Sequence, residues 1–407
     1  MATWRDCKLG DLLEVKHGFA FLGEHFGSTG THVVLTPGNF LEEGGFKERS
    51  DKAKWYSGPI PEDYVLNEGD LIIAMTEQAE GLLGSSAIIP RSGFYLHNQR
   101  LGLVQIRDRK QADQHFIYYL FNTKPVRQQI RGSASGAKIR HTAPSRIADV
   151  KVNVPPLPVQ RRIAGILSAY DDLMENSQRR IQILETMARA IYYEWFVSFR
   201  FPGYEKCPLV NSPLGKIPAG WEAAPLSALV DFAKGRKPTE TRSDALPGDV
   251  KLLLIDSLHG GQPVFTAPAK LVLAEIRDTL MVMDGGSSCA VTIGASGAVG
   301  STLGRFRTTR PKVFSPHALY RFLEAKTEEF KSKNIGAAIP HANKDYILSQ
   351  FIALPPEKIA ARFNEQLEPI QSTIETLKAQ IQNLRRTRDL LLPRLLSGQV
   401  ELKTSAP

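Results

Sequence analysis

A chain of 407 residues with 42% hydrophobic and 23% charged residues has room for two to three globular domains of ordinary composition. No apolar run approaches the roughly 18 residues of a membrane span, and the charged start MATWRDCKLGDLLEV lacks a signal-peptide core. Cys7, Cys207 and Cys289 are odd in number and far apart, which argues against a disulfide framework or a zinc site and for a reducing cytoplasm, while 51 Lys and Arg against 42 Asp and Glu leave a net charge of +9 that favours a polyanionic partner.

Residues 1–154 are expected to form a first globular unit. Short strand-like runs occur at 33–40 (VVLTPGNF), 70–75, 86–90 and 101–106, bounded by turn residues. Residues 115–130 read as a helix broken near Pro125, and ADVKVNVPP alternates as a closing strand would. Residues 155–199 follow as a long helix. Its apolar positions Ile163, Leu167, Tyr170, Met174, Ile181, Leu184, Ala188, Ile191 and Trp195 step alternately by four and three, with Ser177 in the one gap. That is a heptad seam, a rod of roughly 50 Å too narrow to be buried by its own helix. Residues 200–220, rich in Pro and Gly, read as a linker with little regular structure. A second globular unit is expected over 221–354, with strand-like runs at 250–256, 279–284, 289–294 and 317–323 (HALYRFL) and a helical stretch at 324–334. A second long helix over 355–397 and a tail over 398–407 complete the chain.

The two halves repeat. Adding 200 to each seam position gives Phe363, Leu367, Ile370, Ile374, Leu377, Ile381, Leu384, Arg388, Leu391 and Leu395, nine of ten apolar. Upstream, Gly136, Ala137, Ile139, His141, Ile147, Pro155 and Pro156 recur as Gly336, Ala337, Ile339, His341, Ile347, Pro355 and Pro356. At an offset of 217, Trp4, Leu9, Leu12 and Gly18 recur as Trp221, Leu226, Leu229 and Gly235. Matched seams predict that the rods pair. A parallel pair would require the second globe to carry the chain back about 50 Å, so antiparallel pairing is predicted. The expected fold class is α+β: two similar globes separated by two long antiparallel coiled-coil helices, pseudo-twofold symmetric.

Catalytic signatures are absent. Asn153-Val154-Pro155-Pro156-Leu157 departs from the [ND]PP[YF] motif of amino-methyltransferases, with Val after Asn and no aromatic to stack on a flipped base. The repeated Pro pair fits a helix start instead. Gly294, Gly297 and Gly300 follow a strand-like run, but no helix or correctly spaced acid follows them. No Walker loop, HExxH or GxSxG is present. Basic residues near turns are more informative. Each alone reads as a solvated surface charge; as two sets on two repeated globes they fit phosphate contacts with a few base contacts. The chosen DNA-binding candidates are Gln99, Arg100, Lys138, Arg140 and His141 in the first globe, and Arg305, Arg307, His341, Asn343 and Lys344 in the second. His141 and His341 fit either a DNA-facing or a structural role.

PPLPVQRRIAGILSAYDD, ETMARAIYYEWFVSF, SPLGKIPAGWE and RDLLLPRLLSGQVEL resemble the conserved regions of specificity subunits of type I restriction–modification systems, and their order spans the whole chain. The resemblance implies that each globe is a target recognition domain and each rod a spacer helix. It implies a non-catalytic bacterial or archaeal cytoplasmic subunit that reads asymmetric, bipartite double-stranded DNA. It also implies two modification subunits, which carry S-adenosylmethionine and methylate adenine, and restriction subunits that add ATP- and Mg-dependent cleavage. No cofactor or metal is expected on this chain. Three departures stand out. Val159 replaces a usually acidic residue, Pro369 predicts a kink or late start of the second rod, and Arg388 sits in the seam, as expected near a wet end or against a partner subunit. The alternative reading is a coiled-coil adaptor with weak DNA contact.

Overall fold

The computed structural model describes residues 4–49, 52–78, 80–258, 261–336, 339–400 and 402. Ala337 of the repeat and most of the expected tail lie outside them. The chain divides into two compact units, residues 1–175 with 381–407, and residues 176–380.

In the first unit the central sheet is antiparallel, in the order Leu13–His17, Leu101–Ile106, Leu71–Ala74, Ser86–Ile88. Leu71, Ile72, Ile73 and Ala74 are all fully buried because this strand is covered on both faces, which is why it reads as a continuous apolar run. Leu71, Ile73 and Val104 join the core formed with Gln114–Phe121, Lys124–Gly132 and the long helix. Ile72, Ala74 and Leu101 face a smaller core shared with a second sheet, ordered Phe26–Gly27, Trp55–Tyr56, His32–Val34, Tyr95–Leu96. Strand Arg5–Lys8 pairs with the closing strand Lys151–Val154.

The second unit repeats the plan. Its central sheet runs Val230–Lys234, Leu303–Thr308, Thr279–Val282, Val291–Thr292, and Glu222–Pro225 pairs with Phe351–Leu354. The repeated residues have physical reasons. Leu9, Leu12, Leu226 and Leu229 are at most 1% exposed. A Cβ on Gly18 would lie 2.0 Å from the Asn98 carbonyl oxygen, and one on Gly235 would lie 2.1 Å from that of Gly300, so neither position admits a side chain. Gly136 and Gly336 turn at φ of +99° and +95°, in the left-handed region.

The first long helix, Leu157–Tyr192, ends in a π-turn over Tyr193–Val197; the second is Glu357–Leu396. Both start on the repeated proline pair, with Val159 and Ile359 donating to the carbonyls of Pro156 and Pro356. Within the first unit, Ile163 and Leu167 share a core with Leu391 and Leu395, and Asp171 meets Arg388, an antiparallel sense. Within the second unit, Glu185 meets Lys378 at 3.7 Å and Trp195 packs on Phe363 with ring centroids 5.6 Å apart, again antiparallel.

Several expectations are corrected. HALYRFL is the helix Pro316–Ala325: Ser315 caps it by accepting from the Ala318 N–H, and Pro316 presets the first turn. The linker contains a hairpin, Leu209–Ser212 with Gly215–Pro218, whose turn uses Gly215 at φ +86°. The helix expected at 115–130 does break near Pro125: it is two helices separated at Asn122 and Thr123, with Pro125 in the first turn of the second. The expected strand at 33–40 stops at Val34 and gives way to a 3-10 turn at Pro37–Asn39. The second rod starts at Glu357 and continues through Pro369, so the late start does not occur. Arg388, expected near a wet end or against a partner subunit, is instead mostly buried within the first unit. Its side chain is 15% exposed and donates to Asp171 at 2.6 Å, whose other oxygen accepts the Tyr119 hydroxyl at 2.6 Å. Burial opposes the guanidinium charge, but Asp171 and Asp389 outweigh it and hold Arg388 ionised.

Candidate nucleic-acid interface

The same end of each central sheet carries the candidates other than Arg305 and Arg307. In the first unit, Met75 follows the strand Leu71–Ala74; its N–H donates to the Arg100 carbonyl at 3.0 Å, and its carbonyl accepts from the Thr142 N–H at 2.9 Å. In the second, Met283 donates to Thr302 and accepts from Ala342, both at 2.8 Å. Each methionine thus fastens two segments to the sheet end: the turn before the long central strand, and a short hairpin. That hairpin closes by reciprocal bonds between Ser135 and His141 (2.9 and 2.8 Å) and between Ile335 and His341 (2.9 and 2.8 Å). His141 stands opposite Thr76, and His341 opposite Asp284.

In the first unit the structure brings Gln99, Arg100, Lys138, Arg140 and His141 to this end, all exposed. Among the described residues, the side chains of Gln99, Arg100, Lys138 and Arg140 make no hydrogen bond or ion pair, so their donors are available. Ile139, between the two cations, is 37% exposed. The His141 ring Nδ1 lies 3.4 Å from the Thr76 hydroxyl.

The second unit divides the chosen residues. His341 Nδ1 donates to Asp284 Oδ1 at 2.7 Å, and Lys234 Nζ lies 3.1 Å from Asp284 Oδ2. Burial pushes the Asp284 carboxyl up, but the hydrogen bonds from His341 and Lys234 outweigh it and hold the group below the usual carboxylate range. Lys344 Nζ sits 5.3 Å from the centre of the Phe232 ring, a cation–π distance. These residues, with Met283, line an open cavity of about 520 Å³.

Arg305 and Arg307 do not join this cluster. In register, Arg305 lies opposite Ala233 and Leu280, whereas Lys234 and Phe232 lie opposite Gly304 and Phe306. Side chains alternate across a strand, so the two arginines project from the other face of the sheet. Arg305 is engaged by Asp231 and by the Leu273 carbonyl. Arg307 makes a bidentate pair with Asp278 at 2.7 and 2.6 Å and reaches Glu275 at 3.0 Å. The positions matching Gln99 and Arg100 are Ser301 and Thr302. Asn343 sits at the cluster's edge, but its side-chain oxygen caps the helix Lys344–Ser349, accepting from the Tyr346 N–H at 3.1 Å. Sequence reasoning passed over Asp284 and Phe232 and left Lys234 among the general surface cations. The available signal was the alignment of the strand ends IIAMT (72–76) and LMVMD (280–284), at an offset of 208 rather than 200.

Among the described residues no group of side chains is arranged to hold a metal, and no helix is long and apolar enough to cross a membrane. The family model described as the type I restriction modification DNA specificity domain matches residues 1–186. The MjaIX specificity subunit of Methanocaldococcus jannaschii is 22% identical over 300 residues, 71% of this chain and 69% of that protein. The MjaVIII specificity subunit of the same organism is 22% identical over 362 residues, 84% and 81% of the two chains. This chain is similar to the specificity subunits of type I restriction–modification systems. The domain matched at residues 1–186 is a DNA specificity domain and the relatives are named specificity subunits, which supports a role in DNA recognition rather than catalysis. Its fold is that of the solved S subunit from M. genitalium, with a TM-score of 0.62 at 14% identity over 99% of this chain and 97% of that one.

Proposed function

We propose that this chain is a specificity subunit that reads an asymmetric, bipartite double-stranded DNA site, one half per unit, and directs adenine methylation and cleavage by partner subunits. The observation that carries this reading is the repeated sheet end: two frameworks of the same hydrogen-bond pattern carry different side chains, so they suit two different half-sites. Exposed Gln99, Arg100, Lys138 and Arg140 supply donors for phosphates and base edges in one half, and the Lys234–Asp284–His341–Lys344 cluster supplies polar groups in the other. The long helices set the gap, which the protein need not read. Their outer faces carry exposed Ile183 and Met187, one turn apart, and Leu390, apolar positions suited to docking two modification subunits. S-adenosylmethionine, ATP and Mg belong to the partner subunits in this scheme, which operates in the cytoplasm.

Exchanging residues 1–150 for those of a relative tests this. The methylated-adenine motif of host DNA is expected to change in one half only; a motif altered in both halves sinks the modular reading. Lengthening both helices by whole turns is expected to change the gap and leave both halves intact.

A further inference from the structure

Among the matched positions at which the two sheet ends differ, four surround the hairpin histidine. Val15, His17, Thr76 and Pro144 in the first unit correspond to Phe232, Lys234, Asp284 and Lys344 in the second, around a histidine common to both. We infer that the Lys234–Asp284–Lys344 constellation is a specificity-determining site that reads one G·C base pair of the second half-site, both partners at once. This rests on the DNA reading proposed above.

The chemistry is selective in two ways. Phosphate offers acceptors only, and a phosphate entering this cavity would face the Asp284 carboxylate, so a backbone contact leaves that residue opposed. A G·C pair presents two adjacent acceptors, guanine N7 and O6, beside a donor, the cytosine amino group. Lys234 and Lys344 supply cations for the first two. Asp284 accepts from the third, because a carboxylate has about four lone-pair sites and His341 and Lys234 are its recorded partners. His341, held through Nδ1, orients the carboxylate and is a positioning residue. Asp284 keeps 21% of its side chain exposed, enough to meet a base edge and too little to be a free surface acid. Phe232 beneath Lys344 restricts that ammonium. The first unit has Thr76 in place of the acid and no lysine at either matched position, so it does not share this preference.

The test is selection from a randomised duplex library by the full-length chain with its modification partner, comparing wild type with Asp284→Asn, Lys234→Met and Lys344→Met. The expected result is loss of about tenfold discrimination for G·C at one position of one half-site, a change of about 1.4 kcal/mol, with every other position unchanged. Lys344 is exposed and outside the Asp284 hydrogen bonds, so Lys344→Met reports on reading even where Asp284→Asn perturbs folding. Uniformly weaker binding with an unchanged motif in all three variants assigns the cluster to phosphate and overturns the inference while leaving the bipartite reading intact. A wild-type chain that enriches no motif overturns the bipartite reading, and this inference with it.

Discussion

The two units use one backbone and two sets of side chains. In both, a methionine at the end of a buried strand bonds the same turn and the same hairpin, and a histidine closes that hairpin. Yet the residue facing the histidine is Thr76 in one and Asp284 in the other. The second sheets diverge further. Three strands correspond, with one parallel pair in each (Val33 with Tyr95, Leu252 with Ala298), but the fourth strand joins opposite edges. Backbone hydrogen bonds fix the framework and leave the side chains at its end free to vary, as the proposed reading of two different half-sites requires.

The helix seams show the same contrast, and the largest effects are expected there. In the second unit the seam is aromatic: Phe363 is 1% exposed and packs against Trp195 and Phe196. Phe363→Ala is expected to cost about 4 kcal/mol through lost burial and a residual cavity. In the first unit the seam holds Asp171 with Arg388, where the second has Gln371 and Ala188. Arg388→Ala strands Asp171 and is expected to cost roughly 3 kcal/mol, at the low end for a broken buried pair because Asp171 is partly solvated. Hydrogen exchange resolved by segment reads both: Phe363→Ala should first deprotect residues 176–380, and Arg388→Ala residues 1–175. Deprotection of the opposite unit in either case would contradict the assignment of these contacts.

A buried histidine sharpens the comparison further. His97 is fully buried, bonds the Leu101 carbonyl at 3.0 Å through Nε2, and leaves Nδ1 without a partner among the described residues; its counterpart in the second unit is Val299. Burial pushes its pKa down to about 4 from 6.5. The unfolded chain therefore binds a proton that the folded chain does not between these values, so stability is lost as pH falls from about 6.5 to 4, by about 3 kcal/mol in all. His97→Val, the second unit's own solution, should flatten that part of the urea-midpoint profile against pH. An unchanged slope would place the acid sensitivity elsewhere.

What was legible in the sequence is what backbone geometry and burial force. The seam residues are apolar because one stripe of each helix is buried. Gly18, Gly136, Gly235 and Gly336 recur because a Cβ would strike a carbonyl or require a strained φ. The first closing strand, Lys151–Val154, alternates because one face meets the core. HALYRFL was illegible because a helix buried almost all round loses its polar face, and Ser315 and Pro316 were the only guide. The sequence groups Arg305 and Arg307 with the second-globe cluster, and register sets them on the other face of the sheet. The offset between matched residues falls from 217 at Gly18 to 208 at Met75, 202 at Arg100 and 200 at Thr142, as the first unit carries longer excursions. A fixed offset therefore matches the hairpin correctly and the strand before it wrongly. Asp231 and Asp278, which occupy the two arginines, lie 74 and 29 residues away, beyond the reach of any local pattern.

The smallest expected effect separates structure from recognition at Asn343. This residue is one of the DNA-binding candidates, yet its side-chain amide oxygen is committed to the Tyr346 N–H. The matched helix in the first unit, Pro144–Ala148, starts from Ala143 with no side-chain cap, although Ala143 has the same extended backbone that a cap requires. Asn343→Ala is therefore expected to cost about 1 kcal/mol, and Ala143→Asn to gain a comparable amount or somewhat less. Both are readable as shifts in urea midpoint with an unchanged slope. If capping is the whole role of Asn343, the DNA motif selected by Asn343→Ala matches that of wild type. A changed base preference with an unchanged midpoint would return Asn343 to the reading face, and make the difference between Ala143 and Asn343 one more position where the two half-sites are told apart.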